Sequence, residues 1–150
     1  MFYSERTQLA MRIATYAHHG QYDKAGFPYI FHPIHVAEQF HHEAPCVVAL
    51  LHDVLEDTRV TYDELKQYDF TPEQRTSIRA ITRNANEDYL AYINRLSVNP
   101  TAKRVKIQDM LHNLDFSRFL KLPDNWESMR RRYENALRIL DPGMVQWKPI

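Results

Sequence analysis

The stretch "VVALLHDVLEDT", Val47 to Thr58, runs an apolar, helix-like segment straight into four ionisable groups: His52, Asp53, Glu56 and Asp57. Burying such groups costs several kcal/mol unless each finds a partner, so their types and spacing need a reason. On a helix, residues three and four apart share a face, which sets Asp53 beside Glu56 and Asp57, and His52 beside Glu56. Downstream, "RVKIQDMLHNL" puts Lys106, Asp109 and Asn113 on one polar stripe, while Val105, Ile107, Met110, Leu111 and Leu114 read as core. Upstream, His32 stands at the start of a helix after "PYIF". Three helices thus each offer a His or an Asp in apolar surroundings, which is what a buried metal site needs.

Two imidazoles and two carboxylates, His32, His52, Asp53 and Asp109, make a mixed nitrogen and oxygen set. It favours Mn²⁺, Fe²⁺ or Zn²⁺ with open positions over Ca²⁺, which takes oxygen only, and over a cysteine-built structural zinc site. A divalent ion there lowers the pKa of its water from about 16 towards ~7 and polarises a phosphoryl oxygen. Glu56 and Asp57 are the candidates to orient that water and carry protons. The remaining histidines read differently. His18, His19, His41 and His42 fall near predicted helix ends and are expected to be solvated. His35, one turn beyond His32, is expected behind the ligands or at the surface, and His112 in a structural or pocket-rim role. Lys106 reads equally well as a solvated lysine and as a substrate contact.

Composition excludes several classes. Nineteen basic and nineteen acidic residues cancel, so no bulk field draws nucleic acid or an anionic membrane. The single cysteine, Cys46, allows no internal disulfide and suits a reducing cytoplasm. The opening "MFYSERTQLAMRIATYAHH" meets charge by its fifth residue and shows no signal-peptide core. No apolar stretch approaches the ~20 residues of a membrane span, so a soluble, cytoplasmic protein is expected. Only three glycines occur, at 20, 26 and 143, which excludes a phosphate-binding P-loop and a dinucleotide fingerprint. Phosphate would be handled by metal and Lys/Arg instead. The G-x-S-x-G and H-E-x-x-H motifs are absent too.

The elements that must position these residues are all helical. Apolar spacing and caps predict helices over about 5–19, 32–42, 45–57, 61–68, 71–83, 87–97, 101–119 and 124–140, with "GQYDKAGFPY" a loop. Thr61 with Glu64 forms a capping box, Thr71 caps the next helix with Pro72 at its first position, and Pro33 suits an early turn. No segment alternates with period two, so no sheet is expected. The prediction is one all-α domain over 1–150.

The blocks "GFPYIFHPIHVA", "LLHDVLEDT" and "VKIQDMLHNLDFSR" resemble the three signatures of the HD phosphohydrolase superfamily. More narrowly, they are similar to the hydrolase domain of RelA/SpoT homologues and to stand-alone small alarmone hydrolases, from about Gln21 to Arg118. The resemblance implies an HD-type helical bundle in which His32, His52, Asp53 and Asp109 ligate one divalent ion, usually Mn²⁺. It implies that Glu56 and Asp57 activate water, and that Lys24, Asn113 and Tyr133 contact a small nucleotide substrate. The implied reaction removes the 3′-pyrophosphate of (p)ppGpp, giving GDP or GTP plus pyrophosphate. Asp23 stands where that family usually carries an arginine, and an acid there is expected to oppose phosphate. Two alternatives stay open: the same site cutting another nucleotide, as an NADPH phosphatase, nucleotidase or nucleoside triphosphate hydrolase would, and a non-catalytic ligand-binding module.

Overall fold

Helix α3 (Glu43–Leu51) is the axis of the structure, and its sequence EAPCVVALL explains why. Every residue from Pro45 to Leu51 is buried, so the helix has no polar face to turn to water and must be covered all round. Helices α1 (Glu5–Ala17), α2 (Phe31–Glu38), α6 (Pro72–Ile81) and α8 (Pro100–Asn113) provide that cover. The short helices α4 (Val54–Asp57) and α5 (Tyr62–Leu65), then α7 (Tyr89–Ser97) and α9 (Trp126–Leu140), complete the set. The computed structural model describes residues 1–143, and the expected extent of the domain to residue 150 passes beyond them. Among the described residues there is no strand, as the sequence pattern requires, and no helix long and apolar enough to cross a membrane.

Two apolar clusters meet at α8. Ala102 and Val105 pack into the first, around α1, α2, α3 and α6. Ile107, Met110 and Leu114 belong to the second, where Ile93 and Leu96 of α7 face Leu137 and Leu140 of α9. A helix serving two cores cannot confine its apolar residues to one stripe. Its polar members, Lys106 and Asp109, are therefore held at the changeover between clusters rather than turned to solvent.

The caps expected at Thr61 and Thr71 form, and Asp88 adds one that the sequence pattern did not single out. Thr61 and Glu64 exchange hydrogen bonds across the first turn of α5, and Asp88 caps α7 by accepting from the N–H groups of Leu90 and Ala91. At Thr71 the capping box is completed by Gln74. The boundaries differ where side chains compete with the backbone. The helix predicted over 101–119 stops at Asn113. Asp115 then accepts from the Ser117 N–H at 3.1 Å and turns the chain into a short 3₁₀ segment, Phe116–Arg118. The helix predicted over 45–57 is two helices, broken at His52-Asp53.

The connection from α6 to α7 is pinned by one ion pair. Arg95 bonds Glu87 at 2.7 and 2.8 Å, and its other N–H groups reach the carbonyls of Ala80 (3.1 Å) and Thr82 (3.0 Å). The hydrogen bond from Arg95, reinforced by the Asn84 N–H, holds the Glu87 carboxyl down at about 2. Its stabilisation is complete above the ordinary value of 4.5 and is lost as pH falls towards 2. Glu87→Gln is expected to lower stability at pH 7 by about 1–2 kcal/mol, and denaturant titration should show the gap closing between pH 4.5 and 2.

Candidate active site

On an unbroken helix, adjacent side chains diverge by about 100°. The break after Leu51 lets His52 and Asp53 aim at one point, with His52 Nε2 2.9 Å from Asp53 Oδ2. From α2, His32 Nε2 comes within 3.2 Å of His52 Nε2 and 3.1 Å of Asp109 Oδ1. His32, His52 and Asp109 form a buried group whose ligand atoms lie within 4.8 Å of one another. Asp53 Oδ2, 3.7 Å from His32 Nε2, joins it from the His52 side. All four expected ligands therefore converge.

The tautomers are set from behind. His52 Nδ1 lies 2.7 Å from the Ala49 carbonyl, which only accepts, so Nδ1 carries the proton and Nε2 turns a lone pair to the centre. His32 Nδ1 meets His112 Nδ1 at 2.7 Å, which leaves its Nε2 free in the same way when Nδ1 donates. Two imidazole lone pairs and two carboxylates thus face one point and call for positive charge. Burial opposes a charge on His52, yet Asp53 and Asp109 outweigh it and raise its pKa to about 10, so Nε2 holds a proton until a bound cation displaces it and takes up the lone pair. Asp109 moves the other way. Burial opposes its ionisation, but Lys106 at 2.7 Å and the two imidazoles hold it well below the usual carboxylate range. This donor set fits a divalent cation of the Mn²⁺, Fe²⁺ or Zn²⁺ kind.

Further side chains fix the ligands. Tyr29 donates its hydroxyl to Asp53 Oδ2, and burial together with that carboxylate raises the phenol's pKa. Lys106 is not in solvent: it is held against Asp109 and lines the cavity. Asn113 donates Nδ2 to Asp109 Oδ1 at 2.6 Å. Of the two roles expected for His112, structural or at the pocket rim, the structural one is observed: it is in direct contact with His32. Burial and the neighbouring His32 lower its pKa to about 3, and His35 stacks on it with ring centroids 4.2 Å apart. His18 departs furthest from expectation. It is buried, bonded through Nδ1 to Gln21 Oε1 at 2.8 Å and packed on Tyr29, because the loop after α1 folds back over it. His19, His41 and His42 are exposed, as expected at helix ends.

A cavity of 370 Å³ opens over this centre, between Tyr29, His32 and Asp109 on one side and α7 and α9 on the other. Glu56 and Asp57 stand at its open rim. Glu56 Oε2 accepts the Arg83 N–H at 3.1 Å. Burial of its inner side, then repulsion from Asp53 and Glu56, raises Asp57 to about 6. Lys24, Asn113 and Tyr133 all line the cavity, Lys24 with Nζ 3.6 Å from Met129 Sδ. Asp23 does not stand as a bare acid. Its Oδ1 accepts from the N–H groups of Ala25 and Phe27, both at 2.9 Å, and its Oδ2 from Arg118 Nη1 at 2.9 Å. The expected opposition to phosphate is offset by that arginine. The sequence did not mark Arg83, Arg118, Arg132 or Tyr89 as cavity residues. Arg83, Arg118 and Tyr89 sit in or beside irregular connections, where spacing carries no positional information, although Arg118 closes the third signature block; Arg132 lies within α9, next to Tyr133.

No family profile matches the chain. Over 144 residues it is 36% identical to the mouse guanosine-3′,5′-bis(diphosphate) 3′-pyrophosphohydrolase MESH1, covering 85% of this chain and 78% of that protein. The chain belongs to the guanosine-3′,5′-bis(diphosphate) 3′-pyrophosphohydrolase family. The human member, MESH1, is 37% identical over 121 residues, 72% of this chain, and the chain spans just under two thirds, 65%, of its length. A solved structure described as a metazoan ortholog of SpoT that hydrolyses ppGpp superposes with a TM-score of 0.70. It covers 92% of this chain and 88% of its own at 22% identity, and so shares the fold. Within this pyrophosphohydrolase family the helical HD-type fold expected from the signature blocks is the fold observed.

A cation that binds the folded centre and not the unfolded chain stabilises it. Stripping divalent ions with a chelator should lower the melting temperature by several degrees and re-addition of Mn²⁺ should restore it. In Asp109→Asn the response should be absent, and an unchanged melting temperature after verified metal removal from the wild type would count against the centre.

Proposed function

We propose that the chain is a metal-dependent hydrolase that releases pyrophosphate from the 3′ position of guanosine 3′,5′-bis(diphosphate), leaving GDP. The observation that carries this reading is the convergence of two imidazoles and two carboxylates under a cavity rimmed by the Glu56-Asp57 pair, in a chain of this family. His32, His52, Asp53 and Asp109 would hold one divalent ion, with Mn²⁺ favoured and Fe²⁺ or Zn²⁺ also compatible with the donors. When bound, such an ion acidifies a water and polarises a phosphoryl oxygen.

The chain's own residues account for the remaining chemistry. Asp57, with its pKa raised to about 6, is deprotonated at neutral pH yet basic enough to take a proton from water. Glu56 is fixed through one oxygen by the Arg83 N–H, which leaves the other to orient the attacking water. Asn113, its amide nitrogen engaged with Asp109, keeps its carbonyl oxygen for a ribose or phosphate donor. Lys24, against Met129 of α9, and Tyr133, one turn further along that helix, complete the grip on the nucleotide. The substrate is a small nucleotide rather than a nucleic acid, since a cavity of 370 Å³ admits one nucleotide unit.

With Mn²⁺ present, purified protein should release pyrophosphate from ppGpp, and Glu56→Gln or Asp57→Asn should cut kcat at least about 10²-fold with metal still bound. The rate should also fall as pH drops through about 6, because protonation removes the base. Intact ppGpp after incubation with metal-replete wild type would rule the substrate out, and a profile flat from pH 5 to 8 would remove Asp57 from its role.

A further inference from the structure

The cavity lining falls into two groups, each tied together by its own contacts. In one, the guanidinium of Arg132 lies over the rings of both Tyr89 (5.1 Å) and Tyr133 (5.2 Å), and that of Arg83 over Tyr89 (5.8 Å). Arg132 has no carboxylate partner among the described residues, and Arg83 donates to the Glu87 carbonyl. This group keeps its positive charge, which suits phosphate.

The other group is built on Arg118. Its Nη1 donates to Asp23 at 2.9 Å, a contact spanning 95 residues of sequence, and its Nη2 to the His112 carbonyl at 3.3 Å. One side of the guanidinium meets the Phe119 ring, 5.4 Å from its centroid. The Nε–H is buried and has no partner. Asp23 is itself locked, by the N–H groups of Ala25 and Phe27, so it holds the guanidinium in a fixed plane. The charge of Arg118 is offset by Asp23 and its terminal N–H groups are engaged. A phosphate needs accessible N–H edges, and here each Nη already has a partner while the unpaired Nε–H is buried. What Arg118 still offers the cavity it lines is a flat, polarisable face.

We propose that the Asp23–Arg118 pair, backed by Phe119, is the surface on which the planar base of the nucleotide stacks, making Arg118 the residue that selects for a nucleotide over a bare phosphoanhydride. This rests on the nucleotide reading given above. It divides the cavity by charge, with the base over the neutral pair and the remote phosphates towards Arg83 and Arg132. Lys24, exposed and near Met129, is the cation left at the base end.

The test is equilibrium binding of two probes, GDP and inorganic pyrophosphate, to the Mn²⁺-loaded protein by calorimetry. Arg118→Ala should weaken GDP binding about tenfold, within the range known for loss of a base-stacking partner, and leave pyrophosphate within about twofold. Arg118→Lys keeps an ion pair with Asp23 but loses the planar face, so it should weaken GDP as the alanine variant does. It also carries the test if the alanine variant fails to fold. Wild-type GDP affinity in Arg118→Lys would overturn the proposal by showing that the pair is only a brace. Equal weakening of both probes would overturn it in favour of a phosphate clamp, as would a wild type that binds pyrophosphate but not GDP. A wild type that binds GDP through Arg118 yet leaves ppGpp intact would defeat the proposed reaction and leave the stacking surface standing.

Discussion

Four electron-pair donors meeting in a dry space is the constraint from which the rest of the structure follows. Each carboxylate among them is penalised by burial, and each imidazole lone pair needs a partner. The penalty is met locally. Lys106 delivers a cation to Asp109, Tyr29 donates to Asp53, Asn113 donates to Asp109, and the Ala49 carbonyl fixes His52. These partners come from the loop before α2, from α3 and from α8. The centre can form only when those segments are packed, so its chemistry is as cooperative as the fold.

The same constraint explains the two unusual helices. An all-apolar α3 gives the centre its dry floor, because any polar face there would admit water beside His52. An α8 shared between two apolar clusters can carry Asp109 and Lys106 inward without losing its own packing. Breaking the chain at His52-Asp53 ends the backbone ladder of α3 early. In return, two adjacent ligands point one way, and Asp53 begins α4 with the Asp57 N–H on its carbonyl at 2.9 Å.

The convergence of His32, His52, Asp53 and Asp109 was legible because His and Asp in apolar helical runs are rare enough to need a reason, and the caps at Thr61 and Thr71 were legible because capping is decided within four residues. The break at His52-Asp53 was not, since helical periodicity contains no term for two neighbours that must converge. The partner of His112 was not legible either, because it is His32, 80 positions away. His18 was assigned to solvent on its place at a helix end, whereas the returning loop with Gln21 and Tyr29 buries it. Asp23 looked like an acid opposed to phosphate only while Arg118 was out of view. The misreadings share one cause: each residue is governed by a partner that local pattern cannot see.

Helices and their ends hold the four converging metal-ligand candidates, while much of the cavity wall comes from the connections between them. Asp23 and Lys24 lie in the loop before α2, Arg83 between α6 and α7, Arg118 and Phe119 between α8 and α9. Each connection has anchors of its own, Asp23 on Ala25 and Phe27 in one, Glu87 on Arg95 in another. Recognition can therefore vary in these segments while buried helices keep the ligands in place. Arg83 is the exception. Its guanidinium lines the cavity and its backbone N–H holds Glu56, so under the proposed reaction the α6–α7 connection would serve substrate contact and water positioning through one residue.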